Sequence, residues 1–197
     1  MPGIIHPFLD YSRYGLTSAR FELLMTLLLD SPRCMFGSPN EPQHYTPMMN
    51  HDIPLEDRFN EFGSWVSAYF RHGDIGAENP DVLSWVEPSA VHPATINNMT
   101  MEEKKQILCP GKEAQYELPY IISSPQQFGQ AYRKVFFDDS VRALFPGFKV
   151  SFLAGELSPA FAISSYWLLG NDAKETGTPL NLRLIPDSNH FVSLLRV

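Results

Sequence analysis

The stretch that decides the fold is Leu182-Arg183-Leu184-Ile185-Pro186-Asp187-Ser188-Asn189-His190-Phe191-Val192, where an apolar strand runs into a polar turn that presents one histidine. A similar edge lies upstream in Phe148-Lys149-Val150-Ser151-Phe152-Leu153-Ala154-Gly155-Glu156, where another strand ends on a carboxylate. Between the two, the residues from about Ala160 to Leu169 predict a helix. Strand, helix and strand in this order predict one parallel βαβ unit, because such crossovers return to the same sheet with right-handed geometry.

An acid and a histidine that follow successive strands occur in the order of the last two members of a Ser-acid-His triad. In this interpretation His190 is the general base, and Glu156 is the acid that orients its imidazole. A histidine that simply ends a turn is the alternative for His190. Asp172, Asp187 and an acid on a strand that this chain lacks stay open as alternatives to Glu156, although Asp187 is better explained as a turn residue.

The nucleophile of such a triad is missing from the sequence. The elbow Gly-x-Ser-x-Gly needs two glycines four positions apart, because the chain turns too sharply there for larger side chains. No two of the twelve glycines have that separation, which also excludes the cysteine and aspartate forms of the elbow. Ser158 and Ser188 therefore lack the setting of a nucleophile.

The composition of the chain argues against several classes of protein function. The chain has 197 residues, 44% of them hydrophobic, which is enough for the core of one domain or of one and a half. Its net charge of −7 disfavours nucleic acid or an anionic membrane as the main partner. Cys34 and Cys109 are too few for a disulfide framework, and the spacing of the histidines predicts no metal site. We therefore expect neither a metal nor another cofactor.

The sequence also predicts the cellular location. The amino terminus lacks the basic and apolar regions of a signal peptide. The longest apolar stretch, Phe21 to Leu29, is too short for a membrane span. We expect an intracellular protein, cytoplasmic rather than peroxisomal, because the carboxyl terminus carries no peroxisomal signal.

The region before residue 146 is predicted to be helical and interrupted by prolines. Its predicted helices run from Thr17 or Ser18 to Leu29, from Leu55 to His72, from Pro80 to Glu87, from a Thr100-x-x-Glu103 capping box to about Leu108, and onward from Ser124-Pro125. A loop spans Ser31 to Pro54, and a turn is expected at Lys112 to Tyr116. Two parallel strands cannot complete a sheet, so either Leu118 to Ile122 and other weak runs add strands or the chain lacks part of its fold.

Several segments resemble one known family. Trp65 to Phe70 together with Asn79 to Leu83 resembles a helical cap, and Ile107 to Tyr116 resembles the segment that leads out of that cap. Phe152 to Pro159 and Ile185 to Val192 resemble an acid-strand and a histidine-strand signature. Together they resemble the α/β-hydrolase superfamily, and more narrowly the fungal branch that includes peroxisomal lipase-like and toxin-biosynthesis-type proteins.

The resemblance implies an α/β protein with a partial α/β-hydrolase fold, in which a helical cap is followed by the last parallel strands of the sheet. Residues 1–145 would be the mostly helical cap-like region, and residues 146–197 the strand-helix-strand part of the core. The implied reaction is ester or lipid hydrolysis by a Ser-acid-His triad on an apolar small-molecule or ester substrate. The alternatives are a non-catalytic small-molecule-binding or scaffold protein, and a truncated gene product without independent function. An exposed sheet edge also predicts association with a partner.

Overall fold

A computed structural model describes residues 25–107 and 123–191. In these residues three strands form one parallel sheet: β1 (Met25–Leu29), β2 (Lys149–Gly155) and β3 (Asn181–Ile185). The strand order is β1-β2-β3, so β2 is the central strand. Phe152 of β2 pairs with Leu28 on one side and with Leu182 on the other. The protein is thus a mixed α/β structure with a small parallel sheet.

The described helices are α1 (Arg58–Val66), α2 (Met101–Ile107), α3 (Pro125–Phe137), α4 (Asp139–Ala143) and α5 (Ala160–Thr176). The predicted capping box is confirmed at the start of α2. Thr100 Oγ1 accepts a hydrogen bond from Glu103 N at 3.2 Å, and Glu103 Oε2 accepts one from Thr100 N at 2.8 Å. Within the described ranges, no helix has the length and apolar character needed to cross a membrane.

The predicted parallel strand-helix-strand unit is confirmed by β2, α5 and β3. Helix α5 is longer than expected and ends before Gly177, whose φ of 68° is the left-handed conformation that commonly closes a helix. One face of the sheet packs against α3 and α5. The shared core includes Leu28, Tyr132, Phe136, Phe152 and Leu169.

The prediction of a helix that continues to Leu29 is wrong, because Met25–Leu29 form strand β1. A short apolar run fits a buried strand as well as a helix, and pairing with the distant β2 decides the outcome here. Only Leu28 of this strand is buried, whereas Met25, Leu27 and Leu29 are exposed. Residues 17–24 of the predicted helix, the predicted turn at 112–116 and the candidate strand at 118–122 lie outside the described residues.

The cap-like region contains less regular helix than predicted. The helix expected from Leu55 to His72 is only α1, and the one expected from Pro80 to Glu87 is a single 3-10 turn, Pro80–Val82. Further 3-10 turns lie at Arg33–Phe36, Pro47–Met49, Ile75–Ala77 and Thr95–Asn98. Proline lacks the backbone N–H that a continuing helix needs, which favours such short turns in a proline-rich segment.

Candidate active site

Three strand ends meet at the carboxyl edge of the sheet. Asp30 directly follows β1, Glu156 follows β2, and a turn after β3 leads to His190. Open α/β sheets bind ligands at this edge, because the loops that follow the strands converge there.

Asp30 is held in place by the end of β2 and the turn after it. The residue is 1% exposed, and its backbone N–H donates to Leu153 O at 2.9 Å. Gly155 N donates to Oδ1 at 3.2 Å, and the Ser158 hydroxyl donates to Oδ2 at 3.1 Å. Oδ2 also lies 3.5 Å from His190 Nδ1. A buried carboxylate with these donors is pre-organised to face an imidazole.

The backbone of Asp30 is also unusual, since its φ of 42° falls in the left-handed region. Aspartate and asparagine tolerate this conformation better than other residues with a Cβ, and such outliers cluster at functional sites. Burial raises the pKa of the Asp30 carboxyl, and the His190, Ser158 and Gly155 contacts oppose that rise. The imidazole is thus one of the groups that oppose the rise in the pKa of this buried acid.

The His190 side chain is 29% exposed, but its Nδ1 atom is buried against Asp30. A separation of 3.5 Å allows an electrostatic interaction and is longer than a well-formed hydrogen bond. Catalytic hydrogen bonds are often this long before a substrate binds. A carboxylate beside Nδ1 favours the tautomer that carries its proton there, which leaves Nε2 as the basic nitrogen.

Two aromatic rings flank the imidazole. The Phe161 ring centroid lies 5.7 Å from that of His190, and the Phe191 centroid lies 5.6 Å from it, both nearly perpendicular to the imidazole. The ring centroid of Trp65 lies 6.1 Å from that of Phe161. The exposed part of the imidazole therefore lies in apolar surroundings.

Gly155 allows the histidine loop to approach the end of β2. A Cβ atom on Gly155 would lie 2.3 Å from Ser188 O and 2.6 Å from Asn189 O, both of which are backbone atoms. The same approach lets Leu157 N donate to Ser188 O at 2.8 Å. Asp187 supports the turn with a φ of 54°, in agreement with its interpretation as a turn residue.

The structure brings His190 to Asp30 rather than to Glu156. Glu156 follows the neighbouring strand, as predicted, and its backbone N–H donates to Ile185 O at 2.9 Å. Among the hydrogen bonds and ion pairs of the described residues, however, none joins the Glu156 carboxylate to His190. Asp172 belongs to a different site, because it accepts a hydrogen bond from the Tyr132 hydroxyl at 2.8 Å.

Sequence reasoning missed Asp30 because the residues before it were interpreted as the end of a helix. The signal was present: Met25–Leu29 is an apolar run of strand length that ends on an acid, like the run before Glu156. With these residues assigned to a helix, the only strand-end acids in the sequence prediction were those of the carboxyl-terminal part. Phe161, which packs on His190, was likewise not identified from the sequence.

His72 is half-buried and has a structural role. Its Nδ1 accepts from Ser84 N at 3.1 Å, so its Nε2–H donates to Ser158 O at 2.8 Å. Burial lowers the pKa of His72, and the Ser158 carbonyl and the charge of Glu156 oppose that effect. The neutral ring ties the cap-like region to the turn that holds Asp30.

A separate groove of about 880 Å³ lies between residues 36–39, α3 and α5. Tyr132, Arg133, Leu168 and Asp172 contribute to its walls. Burial, together with the hydrogen bond to Asp172 and the charge of that carboxylate, raises the pKa of the Tyr132 hydroxyl. Across the described ranges, no group of three or more His, Cys, Asp or Glu side chains could hold a metal ion.

No family model matches this chain, and no curated protein or solved structure matches it either.

Proposed function

We propose that this chain carries the acid-histidine half of a serine-hydrolase-type site, on a protein related to the α/β-hydrolases. His190 is the general base and Asp30 is the acid that orients it. The reaction class is acyl transfer from an ester, with ester or lipid hydrolysis as the ancestral activity. The sequence has no nucleophile elbow, so the attacking oxygen is not supplied by a serine of this chain.

The observation that carries the proposal is the contact between Asp30 and His190 at the carboxyl edge of the sheet. The acid is buried and accepts hydrogen bonds from Gly155 and Ser158, while the histidine keeps part of its ring exposed. In a serine hydrolase the acid stabilises the imidazolium that forms when the imidazole removes a proton from the nucleophile. Asp30 has the burial and the position for that role.

The surroundings of His190 support an apolar substrate. Phe161 and Phe191 flank the ring, and both pack against the buried cluster that contains Trp65. Ligand sites typically combine such apolar walls with a few placed polar groups. An ester with an aliphatic or aromatic acyl group fits this description better than a highly charged metabolite.

The test of this proposal adds methanol to the solution as the nucleophile that the chain lacks. Wild type is mixed with p-nitrophenyl butyrate and increasing methanol, and p-nitrophenolate and methyl butyrate are measured. The methanol oxygen attacks the ester carbonyl while its proton passes to His190 Nε2. The bond to p-nitrophenolate then breaks, and the proton leaves the imidazole for solvent. General-base catalysis contributes roughly 100-fold or more in complete sites, and a smaller gain is expected without an oxyanion hole.

The expected result is methanol-dependent ester exchange in wild type that is lost in His190→Ala and reduced in Asp30→Asn. Glu156→Gln is the matched control for the acid, and its rate should stay close to that of wild type. Without methanol, wild type should show no burst of acyl-enzyme. Equal methanol dependence in wild type and His190→Ala contradicts the proposal, and a burst that His190→Ala abolishes contradicts the absence of a serine nucleophile.

A second candidate is a non-catalytic small-molecule-binding protein, which the groove beside Tyr132 and Asp172 favours. Its volume lies in the range of known ligand sites. Ligand titrations followed by NMR separate the two candidates. Compounds that shift the resonances of Tyr132 and Leu168 but not those of His190 support binding in the groove, whereas esters that shift His190 support the acyl-transfer site.

A further inference from the structure

Asn189, the residue before His190, is 1% exposed and uses its amide group fully. Its Nδ2 donates to Ser67 O at 2.7 Å and to Thr95 Oγ1 at 2.8 Å. Its Oδ1 accepts from Phe191 N at 3.0 Å, across the histidine itself. The amide therefore fixes the backbone on both sides of His190 and connects it to the cap-like region.

Ser67 is the centre of that connection. It follows α1, is fully buried, and its hydroxyl donates to Gly63 O at 2.8 Å. Ser67 O also accepts from Thr95 N at 2.8 Å, and Ser67 Oγ accepts from Ile96 N at 3.3 Å. The end of α1 and the turn at Thr95–Asn98 are thus joined where Asn189 binds.

Different parts of the molecule hold the two residues of the acid-histidine pair in place. Asp30 is held by the sheet, through Leu153, Gly155 and the turn at Ser158. The histidine loop contacts the sheet side at Ser188, whose carbonyl accepts from Leu157 N. At the next residue, Asn189, the loop is held by Ser67 and Thr95 instead. The separation of Asp30 and His190 therefore depends on contacts to two parts of the molecule.

We infer that Asn189 is a positioning residue, which sets His190 against Asp30 and couples that pair to the end of α1 through Ser67 and to the turn at Thr95–Asn98 through Thr95. The catalytic part of this inference rests on the proposed function, in which the pair acts as the general base. The positioning itself can be measured without substrate. A displacement of the turn at Thr95–Asn98 would therefore change the position of the His190 imidazole, because the Asn189 amide links the two.

NMR measurements on His190 and Asp30 test this inference directly. The tautomer of His190 is determined from two-bond ¹⁵N–¹H correlations, with the resonances assigned by comparison with His190→Ala. The pKa of Asp30 is measured from its carboxyl ¹³C resonance. Because the His190 contact lowers the Asp30 pKa, loss of that contact should raise it further. In Asn189→Ala we expect a mixture of tautomers and an Asp30 pKa that moves toward its value in His190→Ala.

Thr95→Val is the second variant, since it removes one acceptor of the amide without touching His190 and without changing charge. It should change both readouts in the same direction by a smaller amount. Thr95→Ser keeps the hydroxyl and should behave as wild type. Tyr132→Phe, at the separate groove, is the control for general destabilisation and should change neither readout.

Wild-type tautomer and wild-type Asp30 pKa in both Asn189→Ala and Thr95→Val would overturn the inference. If Asn189→Ala does not fold, Thr95→Val decides alone. Failure of the methanol experiment with intact NMR coupling rejects the proposed reaction and keeps the positioning role. The opposite pattern keeps the reaction and rejects the role of Asn189.

Discussion

His190 Nδ1 lies 3.5 Å from Asp30 Oδ2, although the histidine follows the last described strand and the aspartate follows the first. The central strand β2 separates β1 from β3, so the two side chains meet across its end. Gly155, the last residue of β2, has no side chain to block that approach. The site therefore depends on the sheet topology as much as on the two residues.

The buried state of Asp30 predicts a pH dependence of stability. Burial raises the pKa of its carboxyl, so the folded state binds this proton more tightly than the unfolded state. The resulting stabilisation is fully present below the ordinary pKa of 3.8 and is lost as the pH rises through the folded pKa. The free energy of unfolding of wild type minus that of Asp30→Asn should therefore fall as the pH increases above about 4.

Urea unfolding of both proteins at a series of pH values measures this difference. Subtracting the variant removes the contributions of carboxyl groups that the two proteins share. Asparagine suits the comparison because it tolerates the left-handed backbone of this position. A difference that rises with pH would show that Asp30 is stabilised as a carboxylate and would contradict the dominance of burial.

Gly155→Ala should destabilise the protein because the new methyl group meets backbone atoms of the histidine loop at 2.3 and 2.6 Å. Overpacking of this kind costs about 1–3 kcal/mol, and rigid backbone places the cost at the upper end. Gly170→Ala in α5 is the matched control. Its new methyl group would lie at an ordinary contact distance of 3.6 Å from Leu182 Cδ1. Because alanine is more stable than glycine inside a helix, the free energy of unfolding should rise by about 0.5–1 kcal/mol. Equal stabilities of the two variants in urea unfolding would argue against the close approach.

Tyr132→Phe should lower the free energy of unfolding by about 1–3 kcal/mol, because the Asp172 carboxylate loses a buried hydrogen-bond donor. Tyr45→Phe is the control, since the Tyr45 hydroxyl makes no hydrogen bond within residues 25–107 and 123–191. Thermal or urea unfolding at neutral pH measures both changes. A loss for Tyr45→Phe as large as that for Tyr132→Phe would show that the ring environment, not the hydrogen bond, sets the cost.

Strand β1 predicts self-association or binding to a partner. Its exposed residues Met25, Leu27 and Leu29 alternate along the strand, and within the described ranges β1 pairs only with β2. An apolar strand edge favours pairing with another chain, and an added charge opposes it. Sedimentation velocity should show association in wild type that Leu27→Lys reduces. Lys149→Leu, on the same face, should not reduce it, and a wild type that stays monomeric at high concentration contradicts the prediction.

The sequence predicted the part of the fold in which local signals agree with tertiary pairing. Strand β2 is a mostly apolar run after the Pro146-Gly147 break, α5 follows Pro159, and Pro186-Asp187 ends the last strand. Each of these signals acts over a few residues, so β2, α5, β3 and the location of His190 could be predicted. The capping box at Thr100 was predictable for the same reason.

Strand β1 and the role of Asp30 could not be predicted in this way. Met25–Leu29 has too few residues for its periodicity to separate helix from strand, and its hydrogen-bonding partner is far away in the sequence. With β1 missing, the nearest strand-end acid to consider for His190 was Glu156. Asn189 is a further case, because its buried partners Ser67 and Thr95 belong to a region whose turns have no periodic pattern.

The most direct test of the central claim is the tautomer of the His190 imidazole in wild type and in Asp30→Asn, measured by two-bond ¹⁵N–¹H correlation at neutral pH. Because the Asp30 carboxylate can only accept a hydrogen bond, we expect the wild-type proton on Nδ1. In Asp30→Asn the amide can donate to Nδ1, so the proton should move to Nε2. Glu156→Gln should leave the wild-type tautomer unchanged. A proton on Nε2 in wild type, or a tautomer that responds to Glu156→Gln and not to Asp30→Asn, would contradict the assignment of Asp30 as the acid that orients His190.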